Sequence, residues 1–161
     1  MEKEYTSLIS DIINNNKFKD LHKEKHHYCT NRFEHSYNVA FYTYKVCKKF
    51  KLDYKSATRA ALVHDFFFNR DFKNEMDKIF THYKKSIQNA KSIVKLTTKE
   101  ENMIASHMFP VGGKLPKSKE AIILDIVDDL VSIQEKIVAN RNKLKRLATT
   151  MCIILFSFYS K

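Results

Sequence analysis

Glycine and proline are scarce in this chain: each occurs only twice in 161 residues, and tryptophan is absent. Both glycines and both prolines lie in one stretch, FPVGGKLPKSKE at 109–120. Tight turns and β-bulges depend on these residue types, so their scarcity argues against a β-rich fold. It favours helices joined by short connections, with residues 109–120 as the one clear loop.

Cysteines and long apolar runs are also few. Cys29, Cys47 and Cys152 are odd in number and far apart, which excludes a C-x-x-C metal knuckle and a disulfide framework and favours a reducing compartment. The longest apolar run, at 151–158, is far shorter than the ~20 residues that span a bilayer. The N-terminus lacks the basic-then-apolar pattern of a signal peptide. We therefore expect a cytoplasmic protein with no membrane span.

Acidic residues are outnumbered: 18 Asp and Glu stand against 29 Lys and Arg, a net charge of +11. Such an excess favours anionic partners, including nucleotides and nucleic acid. The lysines are scattered over solvated helix faces and are not interleaved with stacking aromatics, so nucleic acid stays open as a partner but is not favoured. The length and the 43% hydrophobic content predict a single domain over residues 1–161.

Helical spacing of apolar residues runs through most of the chain and predicts an all-α, compact bundle of about six to seven helices. Asn31 followed by Glu34 is typical of a helix N-terminus, and Thr81 is a second candidate cap. Residues 17–31 are read as a polar connection. A basic, then apolar, terminal helix is predicted at about 138–159, either packing on the domain or contacting a membrane surface or a second copy. The other predicted helices cover about 3–16, 31–50, 54–67, 82–95, 99–108 and 118–140.

Histidines fall where predicted helices begin, end or face the core. His64 and Asp65 stand together in the apolar stretch AALVHDFFF, where burying an ionised carboxylate without a partner costs on the order of several kcal/mol or more. Either the two groups form a hydrogen-bonded core pair or they hold a metal ion. Imidazoles and carboxylates that project from several helices into one space are typical of metal sites in helical proteins. The histidines placed in this way are His35, His64, His82 and His107.

Three acids compete for an inward position on the long helix at 118–140. A broad apolar arc is expected to face the core; it runs through Ile122, Ile126, Leu130 and Ile133, then Ile123 and Val127, to Val131 and Leu124. Asp128 borders that arc, whereas Asp125 and Asp129 point further towards solvent. Asp128 is therefore the predicted inward acid.

The order of these motifs resembles the HD-domain phosphohydrolase superfamily. The resemblance spans roughly residues 30–135 and rests on RFEHS at 32–36, LVHD at 62–65, THYKKSIQNA at 81–90, HMFP at 107–110 and VDDLVS at 127–132. It implies that one divalent ion is held by His35, His64, Asp65 and Asp128. A second would be held by His82 and His107, with Asp65 bridging the two.

The resemblance also implies an activity. A mono- or dinuclear site would activate water for attack on a phosphate ester. The expected substrate is a nucleotide or another small phosphorylated compound. Asp65 and His64 are the predicted catalytic residues, and the metal is Mn, Fe, Zn, Mg or Ni. Arg32, near the start of its helix, is a candidate phosphate clamp. Arg70 and Lys114 are further candidate substrate contacts, and an exposed role is the alternative for each.

Two other functions fit the same residues. Relatives of this fold that carry two iron ions oxidise a C–H bond, and six His and Asp ligands would suit that chemistry. The other alternative is a non-catalytic module that binds nucleotides or nucleic acid around a structural metal. The sequence leaves open whether the chain forms a homo-oligomer.

Overall fold

The computed structural model of the chain is all-α. It describes residues 2–26 and 30–159, with side chains described for 3–26 and 30–145. No β-strand occurs in these ranges; residues Lys25 and Asn31 form an isolated bridge. The predicted fold class is therefore confirmed. Its helices are α1 (Glu2–Ile13), α2 (Asn16–Lys19), α3 (Arg32–Lys49), α4 (Tyr54–Val63), α5 (Glu75–Lys91), α6 (Thr98–Ser106) and α7 (Lys119–Tyr159), with short 3-10 helices at Asp20–Lys23 and Asn69–Asp71.

The core forms around α3 and α4, which pack on each other and on α7. Ala57, Ala60 and Ala61 of α4 are fully buried, and their small side chains allow the neighbouring helix backbones to approach closely. At the start of α3, the Asn31 side chain accepts a hydrogen bond from the Glu34 amide, as its sequence position predicted. This cap fixes where α3 begins and hence where His35 stands, one turn into the helix.

Two predicted helix boundaries near the candidate ligands are wrong. The helix predicted at 54–67 ends at Val63, so His64 and Asp65 lie just beyond α4. The helix predicted at 82–95 begins at Glu75, because the Asn74 side chain accepts a hydrogen bond from the Asp77 amide and caps it there. Thr81 is not a cap: it lies inside α5, where its hydroxyl donates to the Asp77 carbonyl.

The segment at 17–31 is more ordered than the predicted polar connection. The first helix ends at Ile13 instead of continuing to residue 16, and α2 and a 3-10 helix follow it. Phe18 and Leu21 are fully buried, since this segment closes one side of the core. His27 and Cys29, which belong to the predicted connection and the cysteine count, lie outside the described residues. Cys47 is a buried free thiol.

Helix α7 is a single helix of 41 residues, so the prediction of separate helices at 118–140 and 138–159 is wrong. Only one side of the predicted apolar arc is buried. Ala121, Leu124, Val127 and Val131 are buried, whereas Ile122, Ile126, Leu130 and Ile133 are between 48% and 59% exposed. The helix carries two apolar arcs, and the spacing alone does not determine which one meets the core. Whether residues 146–159 pack on the domain depends on side chains outside the described set.

Within the part of the chain that the structure describes, no helix combines the length and apolar content needed to cross a membrane.

Candidate metal centre

The six predicted ligands come from five helices and meet in one buried cluster. His35 lies on α3, His82 on α5 and Asp128 on α7. His64 and Asp65 follow α4 directly, and His107 follows α6 directly. All four histidines are at most 5% exposed, Asp65 is 7% exposed, and the Asp128 side chain is 13% exposed. Three of the six groups, His64, Asp65 and His107, thus lie just beyond a helix end, and the other three lie within helices.

One half of the cluster is built around Asp128. Its Oδ1 lies 2.9 Å from His35 Nε2 and 3.5 Å from His64 Nε2. His35, His64 and Asp128 can each offer one ligand atom to a common ion, with these atoms within 4.8 Å of one another. The structure thus brings together three of the four residues that the resemblance assigned to the first metal.

The other half is built around Asp65. Its Oδ1 lies 3.5 Å from His107 Nε2 and 3.8 Å from His82 Nε2. The two imidazoles meet directly, with 2.8 Å between their Nε2 atoms. His64, Asp65 and His107 form a further group whose ligand atoms could share an ion. Asp65 therefore lies in contact with the histidines predicted for the second metal.

Backbone carbonyls fix the tautomers of three histidines. Nδ1 lies 2.7 Å from the Ala61 carbonyl oxygen in His64, 2.8 Å from that of Lys78 in His82, and 2.6 Å from that of Ile104 in His107. A carbonyl only accepts, so each Nδ1 carries the proton and donates it. The lone pair of each neutral ring is then on Nε2, the atom that points into the cluster. Metal-binding histidines are generally oriented by such a hydrogen bond.

His35 is oriented by a carboxylate instead. Its Nδ1 lies 3.2 and 3.3 Å from the two oxygens of Glu135, which is 9% exposed. Burial lowers the pKa of His35, but the hydrogen bonds with Asp128 and Glu135 outweigh burial and raise this pKa to about 10. Burial raises the pKa of Asp128, but the neighbouring His64 and the hydrogen bonds of Asp128 with His35 and His64 hold this pKa below its usual range.

The charges around Asp65 act in the same way. Burial raises the pKa of Asp65, but the neighbouring His64, His107 and His82 lower it well below its ordinary value. The pKa of His107 is raised despite burial by its contact with Asp65, whereas burial lowers the pKa of His82. The ionised carboxylates and the neutral His82 are in the protonation states that bind metal, whereas His35 and His107 would release a proton on binding.

The residues fit a divalent metal. Nε2 of His64 is buried and makes no hydrogen bond among the described residues. The Nε2 atoms of His82 and His107 carry facing lone pairs at 2.8 Å, an arrangement that needs a proton or a cation between or beside them. Nitrogen and oxygen donors of this kind suit Mn, Fe, Zn and Ni.

Two residues of the cluster were missed by sequence reasoning. The ring of His26 stacks on that of His35 with 3.9 Å between the centroids, and its Nδ1 lies 4.0 Å from Asp65 Oδ2. His26 belongs to an irregular segment, so no spacing pointed to it. Glu135 follows Asp128 by seven residues, two helical turns, and that period was a signal for a second inward acid.

The cluster lies at the floor of a cavity of about 370 Å³. Arg32 lines it but is only 2% exposed, with its guanidinium 3.8 Å above the ring of Phe67 and bonded to the carbonyl oxygen of that residue. Arg70 and Lys114 are exposed, and neither lines the cavity. The other charged residues that line it are Lys25, Asp65, Glu75, Lys78, Asp128, Asp129 and Lys136.

Comparison with protein families gives one match. The model of the HD domain matches residues 32–133, which begin at Arg32 and include all six predicted ligands. No curated protein and no solved structure shows significant similarity to the chain. With well over half of its length matched, and with four histidines and two aspartates of the matched segment gathered in one buried cluster, the chain belongs to the HD domain family.

Proposed function

We propose that this HD-domain protein is a metal-dependent phosphohydrolase that acts on a nucleotide or another small phosphorylated compound. The observation that carries the proposal is the convergence of oriented histidine Nε2 atoms on Asp65 and Asp128 at the floor of a charged cavity. His35, His64, Asp65 and Asp128 would hold one ion. His82 and His107, with Asp65 shared, would hold a second.

A bound divalent ion supplies hydroxide near neutral pH and offsets the charge of phosphoryl oxygens. The chain's own residues prepare the site for this chemistry. Asp65, which directly follows His64 and contacts His82 and His107, is the residue proposed to orient the attacking water. The carbonyl partners of His64, His82 and His107 keep their lone pairs directed at the site, and Glu135 does the equivalent for His35.

The cavity charges favour an anionic substrate once metal is present. Four cationic residues, Lys25, Arg32, Lys78 and Lys136, face four acidic ones in its lining. These charges balance in the metal-free protein, so each divalent ion makes the cavity positive by its own charge. A dianionic phosphate would then be attracted.

The lysines are better placed than Arg32 for direct phosphate contact. Both terminal nitrogens of Arg32 are occupied: one faces the Phe67 carbonyl and Glu24, and the other faces Asn69. Arg32 would therefore contribute charge and hold the Phe67 wall in place. Lys25 and Lys78 are proposed as the phosphate contacts, and Arg70 and Lys114 stay predictions from sequence.

The test is the metal content of the purified chain, measured by plasma mass spectrometry. We expect about two ions per chain, falling to about one in the His82→Ala, His107→Ala double variant. His22→Ala is the matched control, since His22 is exposed and stacks on Phe33 away from the cluster. Phosphate release from a nucleotide panel should require Asp65, so Asp65→Asn should be inactive and keep its helical circular dichroism. A metal-loaded and active Asp65→Asn variant would refute the proposal.

The same measurement separates the alternatives. Iron in the purified protein, with a paramagnetic resonance signal after partial reduction, would favour the oxygenase. Absence of bound metal after reconstitution, together with a salt-dependent nucleic-acid shift that His64→Ala leaves unchanged, would favour a binding module.

A further inference from the structure

One face of α7 is apolar, continuous and exposed. Its residues are between 48% and 70% exposed and recur at intervals of three, four and seven positions, the spacing of a coiled-coil contact line. At 1.5 Å per residue the face is about 33 Å long. We call it the α7 seam; its residues are Ile122, Ile126, Leu130, Ile133, Ile137 and Leu144.

The seam is separate from the face that α7 packs on the domain. Leu124, Val127 and Val131 are buried on that other face, and Glu135 reaches His35 from it. Monomeric proteins rarely expose a contiguous apolar surface of this extent. Among the described residues, nothing covers the seam.

The charges along one edge of the seam change sign halfway. Asp125 and Asp129 lie beside its first half, and Lys136 and Lys143 lie beside its second half. Their separations of four and seven residues place all four along the same edge of the helix. In the part of the chain whose side chains are described, none of the ion pairs found involves any of them. An acidic half followed by a basic half complements itself when the helix is reversed.

We propose that the α7 seam packs against the α7 seam of a second copy of this chain, antiparallel and with the two-fold axis level with the peptide bond between Val131 and Ser132. Reversal about that point sets Leu130 opposite the second copy's Ile133 and Ile126 opposite its Ile137, so apolar residues face each other along the middle of the seam. In antiparallel pairs equivalent edges meet, which brings Asp129 beside the second copy's Lys136. Such a contact is isologous, as closed two-fold dimers require.

The parallel arrangement fits less well. It sets Lys136 of one helix beside Arg141 of the other and leaves the two aspartates away from any lysine of the partner helix. The same self-complementarity favours a second copy over a membrane surface, because an anionic bilayer would repel the acidic half of the seam. The proposal does not depend on the function proposed for the metal centre.

The first experiment is sedimentation velocity of the full chain over a range of micromolar concentrations. The wild-type chain should be a dimer. Ile133→Glu should weaken this dimer at least 100-fold, because it places one carboxylate from each copy beside the two-fold axis. Leu115→Glu is the matched control: Leu115 is 66% exposed in the 109–120 loop, so this variant should dimerise like the wild type. A monomeric wild-type chain, including one that binds anionic vesicles instead, would overturn the proposal, as would a dimer unaffected by Ile133→Glu.

Disulfide cross-linking tests the orientation. In a background with Cys29 and Cys152 changed to serine, Ile133→Cys should cross-link under mild oxidation when mixed with Leu130→Cys, the position opposite it in the antiparallel register. Ile126→Cys should not cross-link to itself, but it should cross-link when mixed with Ile137→Cys. Self-cross-linking of Ile126→Cys as fast as that of the mixed pair would indicate a parallel pair and contradict the proposed arrangement.

Discussion

Replacing Glu135 with glutamine should weaken metal binding by about tenfold. Glutamine keeps the size of the side chain and one oxygen that can accept from His35 Nδ1, but it removes the negative charge. A hydrogen bond to a charged partner is worth about 1.5–3 kcal/mol and one between neutral groups about 0.5–1.5 kcal/mol. The difference of roughly 1.4 kcal/mol corresponds to a factor of ten in affinity. Glu135→Ala, which removes the acceptor entirely, should approach 100-fold, the upper end for outer-shell partners of metal ligands.

The assay is a competition titration of Mn²⁺ or Zn²⁺ against a fluorescent chelator, with circular dichroism as a check on folding. Glu120→Gln is the matched control. Glu120 lies on the same helix and is 7% exposed, but it accepts hydrogen bonds from the Asp53 amide and from Lys99 and does not line the cavity. Glu120→Gln should therefore lower the free energy of unfolding and leave metal affinity unchanged.

Two results would refute the reasoning. Wild-type affinity in Glu135→Gln would mean that Glu135 does not support His35 as a ligand. An equal loss of affinity in Glu120→Gln would mean that the titration reports general loosening of α7 and not the contact with His35.

Two further predictions concern the metal-free protein and the 109–120 loop. In the folded, metal-free protein the pKa of His35 is about 10, whereas in the unfolded chain it is 6.5. The stabilisation that comes from this proton is therefore complete below pH 6.5 and is lost as the pH rises towards 10. Urea unfolding should show a loss of at most about 1.4 kcal/mol per pH unit between pH 7 and 9, absent in His35→Gln. In Gly112→Ala the new Cβ would lie 2.6 Å from the Ile79 carbonyl oxygen, forcing the loop away from α5. We expect a cost of about 1–3 kcal/mol in thermal unfolding and weaker metal binding at His82 and His107, whereas Val111→Ala, at a 64% exposed neighbour, should change neither.

The candidate ligands could be found from sequence because their order along the chain is itself the signal. His35 and Asp128 are 93 residues apart, yet each stands in a recognisable local motif. Glu135 was within reach by its two-turn separation from Asp128. His26 was not, since it lies in an irregular segment whose path is set by tertiary contacts and not by any local period.

The errors of the fold prediction arise where two local signals compete. Asn74 and Thr81 are both good N-cap residues, and the one that begins α5 is the one followed by an acid that stabilises the first turn. On α7, two apolar arcs satisfy the same helical period. The predicted arc includes both, and small Ala121 together with the acids Asp128 and Glu135 marks the part that meets the domain.

His64 and Asp65 are joined by a single peptide bond, yet they serve opposite halves of the cluster. His64 faces Asp128, and Asp65 faces His82 and His107. The spacing between the two halves is therefore set by covalent geometry, which hardly stretches, and not by the softer packing of helices. A change that rotates this one turn would shift both halves together. A change at this position therefore cannot alter the metal preference of one half alone. Selection for a different ion in either half would have to act through the ligands on α3, α5, α6 and α7.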